Sequence, residues 1–299
     1  MLKTELAAPL QHPTQLQPYG LPTYKTASDA IAAYQGDDQI YALYPRKIER
    51  AARLFVNGFP GKILYAVKSN PHPSLLQILW DEGVERFDVA SIREIDLVRG
   101  LLPNAELFLM HPIKSRRTIA HAYANGVRNM SFDHPDELQK ILDCTDEADD
   151  LHLHLRLALP KVSKQLGAMM PLGGKFGAGF DEAVALLKSA RPITKKLGLC
   201  FHVGSQCLNT ENYKSALAYA RKVVDAAGVK VDSIDVGGGF PAELNAAQKI
   251  PPITAFTQAI AKAVKKQILS SYDARGAEYP AEHNVGHEYL AKPALREFY

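Results

Sequence analysis

The feature of this 299-residue sequence that most limits its fold is a repeated alternation of short β-rich runs with longer amphipathic runs. Each pair of strand candidates is separated by a segment with helical periodicity, which is typical of parallel βαβ units. The strand candidates are residues 62–68, 86–90, 106–110, 128–132, 151–159, 197–204 and 231–238. The helix candidates are residues 73–83, 91–100, 115–126, 134–143, 181–190, 211–228 and 253–270, several of which end at glycine as helices often do.

The number of strands predicts the architecture. Seven strands separated by helices over about 240 residues favour a TIM-like (β/α)8 barrel over an open doubly wound sheet. An eighth strand should follow the helix at 253–270, but no convincing strand pattern occurs there, so we expect a barrel that is incomplete at the eighth strand. Residues 1–24 hold four prolines and predict a flexible arm, residues 25–270 form the barrel domain, and residues 271–299 form an atypical tail.

Composition excludes several classes of protein. The net charge of +3 with 22% charged residues argues against a nucleic-acid partner. No run approaches the roughly 18 apolar residues of a membrane span, and the N-terminus lacks a secretory signal pattern. The three cysteines form no C-x-x-C pair, so we expect no disulfide framework, no metal site and a cytoplasmic location.

Polar residues stand where the predicted strands end. Lys68 follows an apolar run, Asp88 and Arg156 lie near the ends of their strands, and His202 lies in the sixth strand. An unpaired buried charge is costly, so Lys68 is solvated, paired or chemically used. Each residue alone also fits a solvated or hydrogen-bonded structural role. Their convergence at the carboxyl ends of barrel strands, where catalytic residues collect, favours a functional site.

The sequence D-V-G-G-G-F-P at 235–241 is the second indication of a site. Gly237, Gly238 and Gly239 weaken a strand, so the run is either a flexible turn or a loop whose N–H groups approach an anion closely. Ser205, in the loop of H-V-G-S-Q, adds a hydroxyl group. A lysine, a phosphate-binding loop and a barrel together suggest pyridoxal 5′-phosphate held as a Schiff base on Lys68.

Six motifs in order carry a family resemblance: YAVKSNPHPSLLQIL, FDVASIREIDLV, HPIKS, KFG, FHVGSQ and DVGGGFP. Over residues 40–245 the chain resembles the fold-type III pyridoxal-phosphate-dependent decarboxylases that act on ornithine, arginine or diaminopimelate and are related to alanine racemase. HPIKS resembles the ornithine decarboxylase branch. The resemblance implies an alanine-racemase-like barrel, a homodimer, a small amino-acid substrate, and conversion of ornithine to putrescine in polyamine biosynthesis.

The resemblance also implies the roles of individual residues. Lys68 would bind the cofactor covalently, and His202 would stack on its ring, so these two are the expected catalytic residues. The remaining cofactor-binding residues would be Asp88, Glu94, Arg156, Ser205, Gly237, Gly238 and Gly239. Glu94 also has a local explanation, because Ser91 and Glu94 form the S-x-x-E pattern of a helix capping box. Lys175 in KFG orders a loop in this interpretation, and Cys207 is incidental.

The chain departs from the family at its C-terminal end. The E-P-G-R segment of the family, whose Glu pairs with the pyridine nitrogen, is absent, and Glu278 and Pro280 are only a faint echo of it. The second, β-rich domain that completes the site across the dimer is also missing. We therefore expect a decarboxylase cut short after the barrel, with slow turnover or none. The alternative is a non-catalytic protein that binds pyridoxal phosphate or regulates polyamine synthesis through partners.

Overall fold

A computed structural model gives the fold of the chain. It describes residues 21–34, 36–37, 39–59, 61–160, 168–170, 175–242, 251–264 and 288–291. The predicted arm at 1–24 lies almost entirely outside these residues, as does most of the predicted tail at 271–299.

Eight parallel strands form a closed barrel, and a separate antiparallel pair lies beside it. Numbered in chain order, the ten strands are β1 (Lys62–Ala66), β2 (Arg86–Asp88), β3 (Glu106–Leu109), β4 (Asn129–Phe132), β5 (His152–Arg156), β6 (Ala168–Met170), β7 (Lys196–Cys200), β8 (Ser205–Cys207), β9 (Ser233–Gly237) and β10 (Glu288–Ala291). The order around the barrel is β1-β10-β9-β7-β5-β4-β3-β2, and β6 pairs with β8. The predicted (β/α)8 barrel is confirmed.

Nine helices are found in the described residues. They are α1 (Ala27–Ala33), α2 (Pro45–Gly58), α3 (Pro73–Asp81), α4 (Ile92–Leu101), α5 (Arg116–Ala124), α6 (Pro135–Cys144), α7 (Phe180–Ala190), α8 (Glu211–Ala227) and α9 (Ile253–Val264). Ser91 and Ser115 cap the starts of α4 and α5 by accepting a backbone N–H, and proline opens α2, α3 and α6, where its missing N–H costs nothing. None of these helices is long and apolar enough to cross a membrane.

The eighth strand position is the least complete part of the barrel, as expected. Only the four residues Glu288–Ala291 occupy it, and they pair in parallel with β9 and, at two positions, with β1. A strand of four residues is too short to show a period in the sequence, which explains why it was missed. Helices α1 and α2 and the β6–β8 pair were also not predicted. Gly100 does not end α4, which continues to Leu101, whereas Gly228 does end α8 in the left-handed conformation.

The two faces of the barrel sheet are packed differently. Outward side chains such as Ile63, Phe87 and Leu155 belong to one large apolar cluster with the surrounding helices, which we call the outer layer. Inside the barrel, which we call the lumen, Leu64, Phe108, Met110 and Cys200 form a small separate cluster. Six buried polar residues also alternate with outer-layer residues along the strands and therefore face the lumen: Asp88, Asn129, Ser131, His154, Ser233 and Asp235.

Candidate functional site

The candidate residues lie at the carboxyl end of the barrel. Lys68 lies in a single 3₁₀ turn that follows β1, and its side chain is exposed. Asp88 and Arg156 are the last residues of β2 and β5, and His202 lies in the loop after β7. The turn with Lys68 follows β1, and the segment Gly237 to Gly239, which we call the glycine loop, lies at the end of β9. Only β10 lies between these two strands in the barrel.

Lys68, Asp88 and Glu94 form an electrostatically coupled group on the β1–β2 side. Burial raises the pKa of the Glu94 carboxyl above its ordinary value, and the charge of Asp88 adds to this shift. The hydrogen bond from the Ala90 N–H, at 2.5 Å, and the charge of Lys68 oppose it. Asp88 Oδ1 accepts the N–H of Met110 at 3.1 Å, which ties the end of β2 to the end of β3.

Glu94 takes part in the cap of α4. Ser91 Oγ accepts the N–H of Glu94 at 3.3 Å, as an N-cap should. The Glu94 carboxylate accepts the N–H of Ala90 at 2.5 Å and also interacts with the backbone of Ser91. The side chain is therefore held at the start of α4, close enough to Lys68 and Asp88 to share their electrostatic field.

The glycine loop is built from backbone packed on backbone. Gly237 and Gly239 have φ angles of 70° and 96°, which side chains disfavour. A β-carbon on Gly237 would lie 2.2 Å from the carbonyl oxygen of Phe201, and one on Gly239 would lie 2.1 Å from that of Gly204. The loops after β7 and β9 therefore interlock at a distance that only glycine permits.

Three hydrogen bonds hold the glycine loop from behind. The Cys207 N–H donates to the carbonyl oxygen of Gly239 at 2.8 Å, and the Tyr213 hydroxyl donates to that of Gly238 at 3.0 Å. The Gly237 N–H donates to Asp235 Oδ1 at 2.8 Å. The loop is thus fixed, which argues against the flexible-turn interpretation of the glycine run.

The loop retains a donor that an anion could use. Among the described residues, the N–H group of Gly239 finds no hydrogen-bond acceptor, although the residue is buried. Buried N–H groups are normally satisfied, so its partner is expected to be a bound group. Half-buried Ser205, at the start of β8, offers a hydroxyl beside this loop. These donors fit a phosphate, and exposed Lys68 fits the aldehyde of pyridoxal phosphate.

Arg156 lies beside a neighbouring cleft. Its guanidinium is 5.4 Å from the ring centre of Phe176, and the ring of His111 is 5.3 Å from the same ring. The N–H of Gly177 donates to Asp133 Oδ2 at 2.7 Å and anchors this segment. Phe176 and exposed Lys175 line a cleft of about 610 Å³ that also contains acidic and basic side chains of α6.

Cys207 and Gln206 show what sequence reasoning covered and what it missed. Burial raises the pKa of the Cys207 thiol, which agrees with its interpretation as incidental rather than nucleophilic. Gln206 was not proposed as a functional residue, although its position directly after Ser205 at a strand end could have indicated one. Tyr213 gave none, because an aromatic residue in an amphipathic helix normally belongs to the core. No group of three or more metal-ligating side chains occurs in the described ranges.

Comparison with known proteins gives two family matches. The family "Pyridoxal-dependent decarboxylase, pyridoxal binding domain" matches residues 45–275. A second family, "D-lactate dehydrogenase, membrane binding", matches residues 257–299 and overlaps the end of the first. The larger match covers the whole set of candidate residues, whereas the smaller one covers the predicted tail.

Individual relatives agree with the larger match. The lysine/ornithine decarboxylase of Selenomonas ruminantium is 37% identical over 60% of this chain and 45% of its own length. The ornithine decarboxylase of Caenorhabditis elegans is 40% identical over 59% and 42%. Antizyme inhibitor 2 of Xenopus laevis is 34% identical over 60% and 39%. The chain thus matches less than half of the length of each of these relatives.

The fold comparison leads to the same family. A crystal structure of a mutant of SrLDC in complex with PLP superposes with a TM-score of 0.74 and 26% identity, covering 91% of this chain and 66% of that one. The barrel, the fitted donors and the match over residues 45–275 agree. The chain therefore belongs to the family of pyridoxal-dependent decarboxylases, of which it carries the pyridoxal binding domain.

Proposed function

We propose that this chain binds pyridoxal 5′-phosphate through Lys68 and the glycine loop and acts in the decarboxylation of a basic amino acid, with ornithine as the substrate and putrescine as the product. One observation carries the proposal. A solvent-accessible amine after β1 and the unpaired N–H group of Gly239 after β9 lie at the same end of one barrel in the described part of the chain. Relatives described as ornithine and lysine/ornithine decarboxylases support the substrate class.

Each residue has a defined task in this proposal. When bound, the cofactor supplies an electron sink for the electrons left when the α-carboxylate departs. The Lys68 amine would hold the aldehyde carbon, and Ser205 with the loop of Gly237, Gly238 and Gly239 would hold the phosphate; within that loop the Gly237 N–H is already bonded to Asp235. His202, half-buried after β7, would keep the ring flat from one face. Asp88 and Arg156 would line the ring and the substrate side, and Glu94 would act through the field it shares with Lys68 and Asp88.

Reduction with borohydride tests the cofactor proposal. The protein is incubated with pyridoxal phosphate, reduced and digested, and the labelled peptide is sequenced. We expect the label on Lys68, and none on a Lys68→Ala variant. Lys114 is a matched control, because it is buried and bonded to Glu137 at 2.9 Å, and it should stay unlabelled. Labelling of another lysine, or none, would refute the assignment.

Turnover is proposed separately from binding. Carbon dioxide release from ornithine, lysine, arginine and diaminopimelate, each at saturating concentration, ranks the substrates. We expect ornithine to rank first, at a rate well below the roughly 10 s⁻¹ of an ordinary enzyme, because the E-P-G-R segment is absent. Release at an ordinary rate would mean that the segment 271–299 supplies replacements, and Glu278 would be the first residue to change.

A regulatory function is the second candidate, and the similarity to antizyme inhibitor 2 of Xenopus laevis favours it. If this second function is correct, the protein should still be labelled by borohydride with pyridoxal phosphate, or bind a partner protein, but it should release no carbon dioxide from any of the four substrates. We further propose the division into an arm at 1–24, a barrel domain at 25–270 and a tail at 271–299 that contributes the strand Glu288–Ala291 to the barrel, together with a homodimer and a cytoplasmic location. The separate family match at 257–299 supports the distinct tail.

A further inference from the structure

The direction of one N–H group follows from a contact on the far side of its peptide. In a planar trans peptide, the carbonyl of one residue and the N–H of the next point in opposite directions. The described chain contains no cis peptide. The carbonyl of Gly238 points to the hydroxyl of Tyr213 on α8, at 3.0 Å. The N–H of Gly239 therefore points away from Tyr213 and α8.

Tyr213 is well placed to fix this peptide. Its side chain is fully buried, and its ring stacks on Phe240 with centroids 5.2 Å apart and planes 13° apart. Phe256 of α9 meets the same ring edge-on at 6.0 Å. Burial raises the pKa of the hydroxyl well above its ordinary value, so it remains a donor. The ring cannot move without repacking the outer layer.

Gln206 fixes the far end of the same loop. Its Nε2 donates to the carbonyl oxygen of Ala242 at 3.0 Å, and its Oε1 accepts the N–H of Ala242 at 2.7 Å. One side-chain amide thus satisfies both backbone groups of a residue 36 positions away. Gln206 itself has a φ of 52°, a conformation that a residue with a side chain seldom adopts unless its surroundings impose it.

We propose that Tyr213 and Gln206 are positioning residues for the phosphate group of the cofactor. Neither would touch the phosphate. Tyr213 orients the Gly238–Gly239 peptide, and Gln206 fixes the exit of the loop at Ala242, so that the Gly239 N–H faces the anion before it binds. This inference rests on the proposed pyridoxal phosphate site and assigns the preorganisation of that site to two residues outside it.

Comparison of two ligands, pyridoxal 5′-phosphate and pyridoxal, tests the proposal, because pyridoxal lacks the phosphate group. Dissociation constants for both are measured with the wild-type chain, Tyr213→Phe and Gln206→Gly. Phe keeps the ring stack, and Gly suits the φ of residue 206, so each variant removes hydrogen bonds with little strain. We expect each to weaken pyridoxal phosphate binding about fivefold to tenfold and to leave pyridoxal binding unchanged.

Two matched variants serve as controls. Tyr123→Phe removes a hydroxyl that donates to Asp150 at 3.2 Å, and Gln139→Ala removes an amide bonded to Asp143 at 2.8 Å; both lie on helices away from the glycine loop. Neither should change the affinity for either ligand. Unchanged pyridoxal phosphate affinity in Tyr213→Phe and Gln206→Gly overturns the proposal, and so does an equal loss for both ligands, which would indicate a general structural role.

The wild-type titration separates this inference from the proposed function. If the wild-type chain binds neither ligand, or binds both equally, the proposed phosphate site is wrong, and the inference that rests on it is wrong as well. Amide hydrogen exchange on the unaltered chain covers the case in which the variants do not fold. Inorganic phosphate should slow exchange of the Gly239 N–H, whereas the Ala242 N–H should be protected with and without it. Exchange at Gly239 that ignores phosphate overturns the proposal.

Discussion

The outer layer and the lumen of the barrel use the same strands in opposite ways. Along β5, Leu153 and Leu155 face the helices, while His154 faces the lumen, where its ring lies 6.0 Å from Phe108. His154 Nε2 and Asn129 Oδ1 are 3.3 Å apart, and Asn129 Nδ2 donates to Glu106 Oε1 at 3.2 Å. The outer layer supplies bulk hydrophobic stability, whereas the lumen is an ordered polar interior whose groups depend on individual partners.

The largest effect is expected in the outer layer. Leu155→Ala removes a fully buried side chain and should lower the free energy of unfolding by about 3 kcal/mol. Leu54→Ala, at a leucine that is 46% exposed on α2, should cost less than about 1 kcal/mol. Denaturant unfolding measures both. Equal losses would mean that the outer layer does not dominate stability.

Gly198→Ala tests how tightly the lumen is packed. A β-carbon there would lie 2.4 Å from both His154 Nδ1 and Ser233 Oγ, so we expect a loss of about 1–3 kcal/mol in unfolding free energy. Adding Ser233→Ala should restore part of it. As a control, Gly100→Ala within α4 meets no atom within 4 Å and should stabilise the protein by about 0.5–1 kcal/mol. A harmless Gly198→Ala would show that the lumen has room to adjust.

Glu94, at the mouth of the lumen, should make stability depend on pH. Its pKa in the folded chain lies above the ordinary 4.5, chiefly because of burial. As the pH rises past 4.5, the unfolded chain loses this proton first, so the contribution of Glu94 to stability is full below 4.5 and is lost as the pH rises through the folded pKa. Glu94→Gln should therefore become more stable relative to wild type over that rise. A constant difference between the two unfolding curves would contradict the shift.

Ser131→Ala should have the smallest effect. Ser131 is fully buried in the lumen, and its Oγ has no hydrogen-bond partner in the described part of the chain. Its removal should change the unfolding free energy by less than about 0.5 kcal/mol or stabilise the fold slightly. Thr194→Val is the contrasting variant, because Thr194 Oγ1 donates to the carbonyl oxygen of Leu151 at 2.7 Å, and should cost about 1 kcal/mol. A large loss at Ser131 would reveal a partner such as an ordered water.

The alternation L-H-L-H-L-R-L at 151–157 shows how far the sequence alone reaches. It predicts a strand with two unlike faces, and the structure has one at His152–Arg156. The pattern does not say that the polar face looks inward, because closure of the barrel decides that. Likewise, β8 at Ser205–Cys207 depends on pairing with a segment more than thirty residues earlier, and Tyr213 acts through one long-range contact. The local sequence pattern was sufficient to predict the strands and the polar residues at their ends. The residues that hold the glycine loop could not be predicted, because they act through long-range contacts.

The interlock of the loops after β7 and β9 also limits how this chain can vary. Every single-nucleotide change in a glycine codon that replaces the residue introduces a β-carbon. At Gly237 or Gly239 that carbon would lie within 2.2 Å of a carbonyl oxygen of the facing loop. No one-step substitution at either codon therefore fits the present backbone. Variation at this end of the barrel is open to the side chains around the two loops, and a change in the loops themselves requires both to shift together.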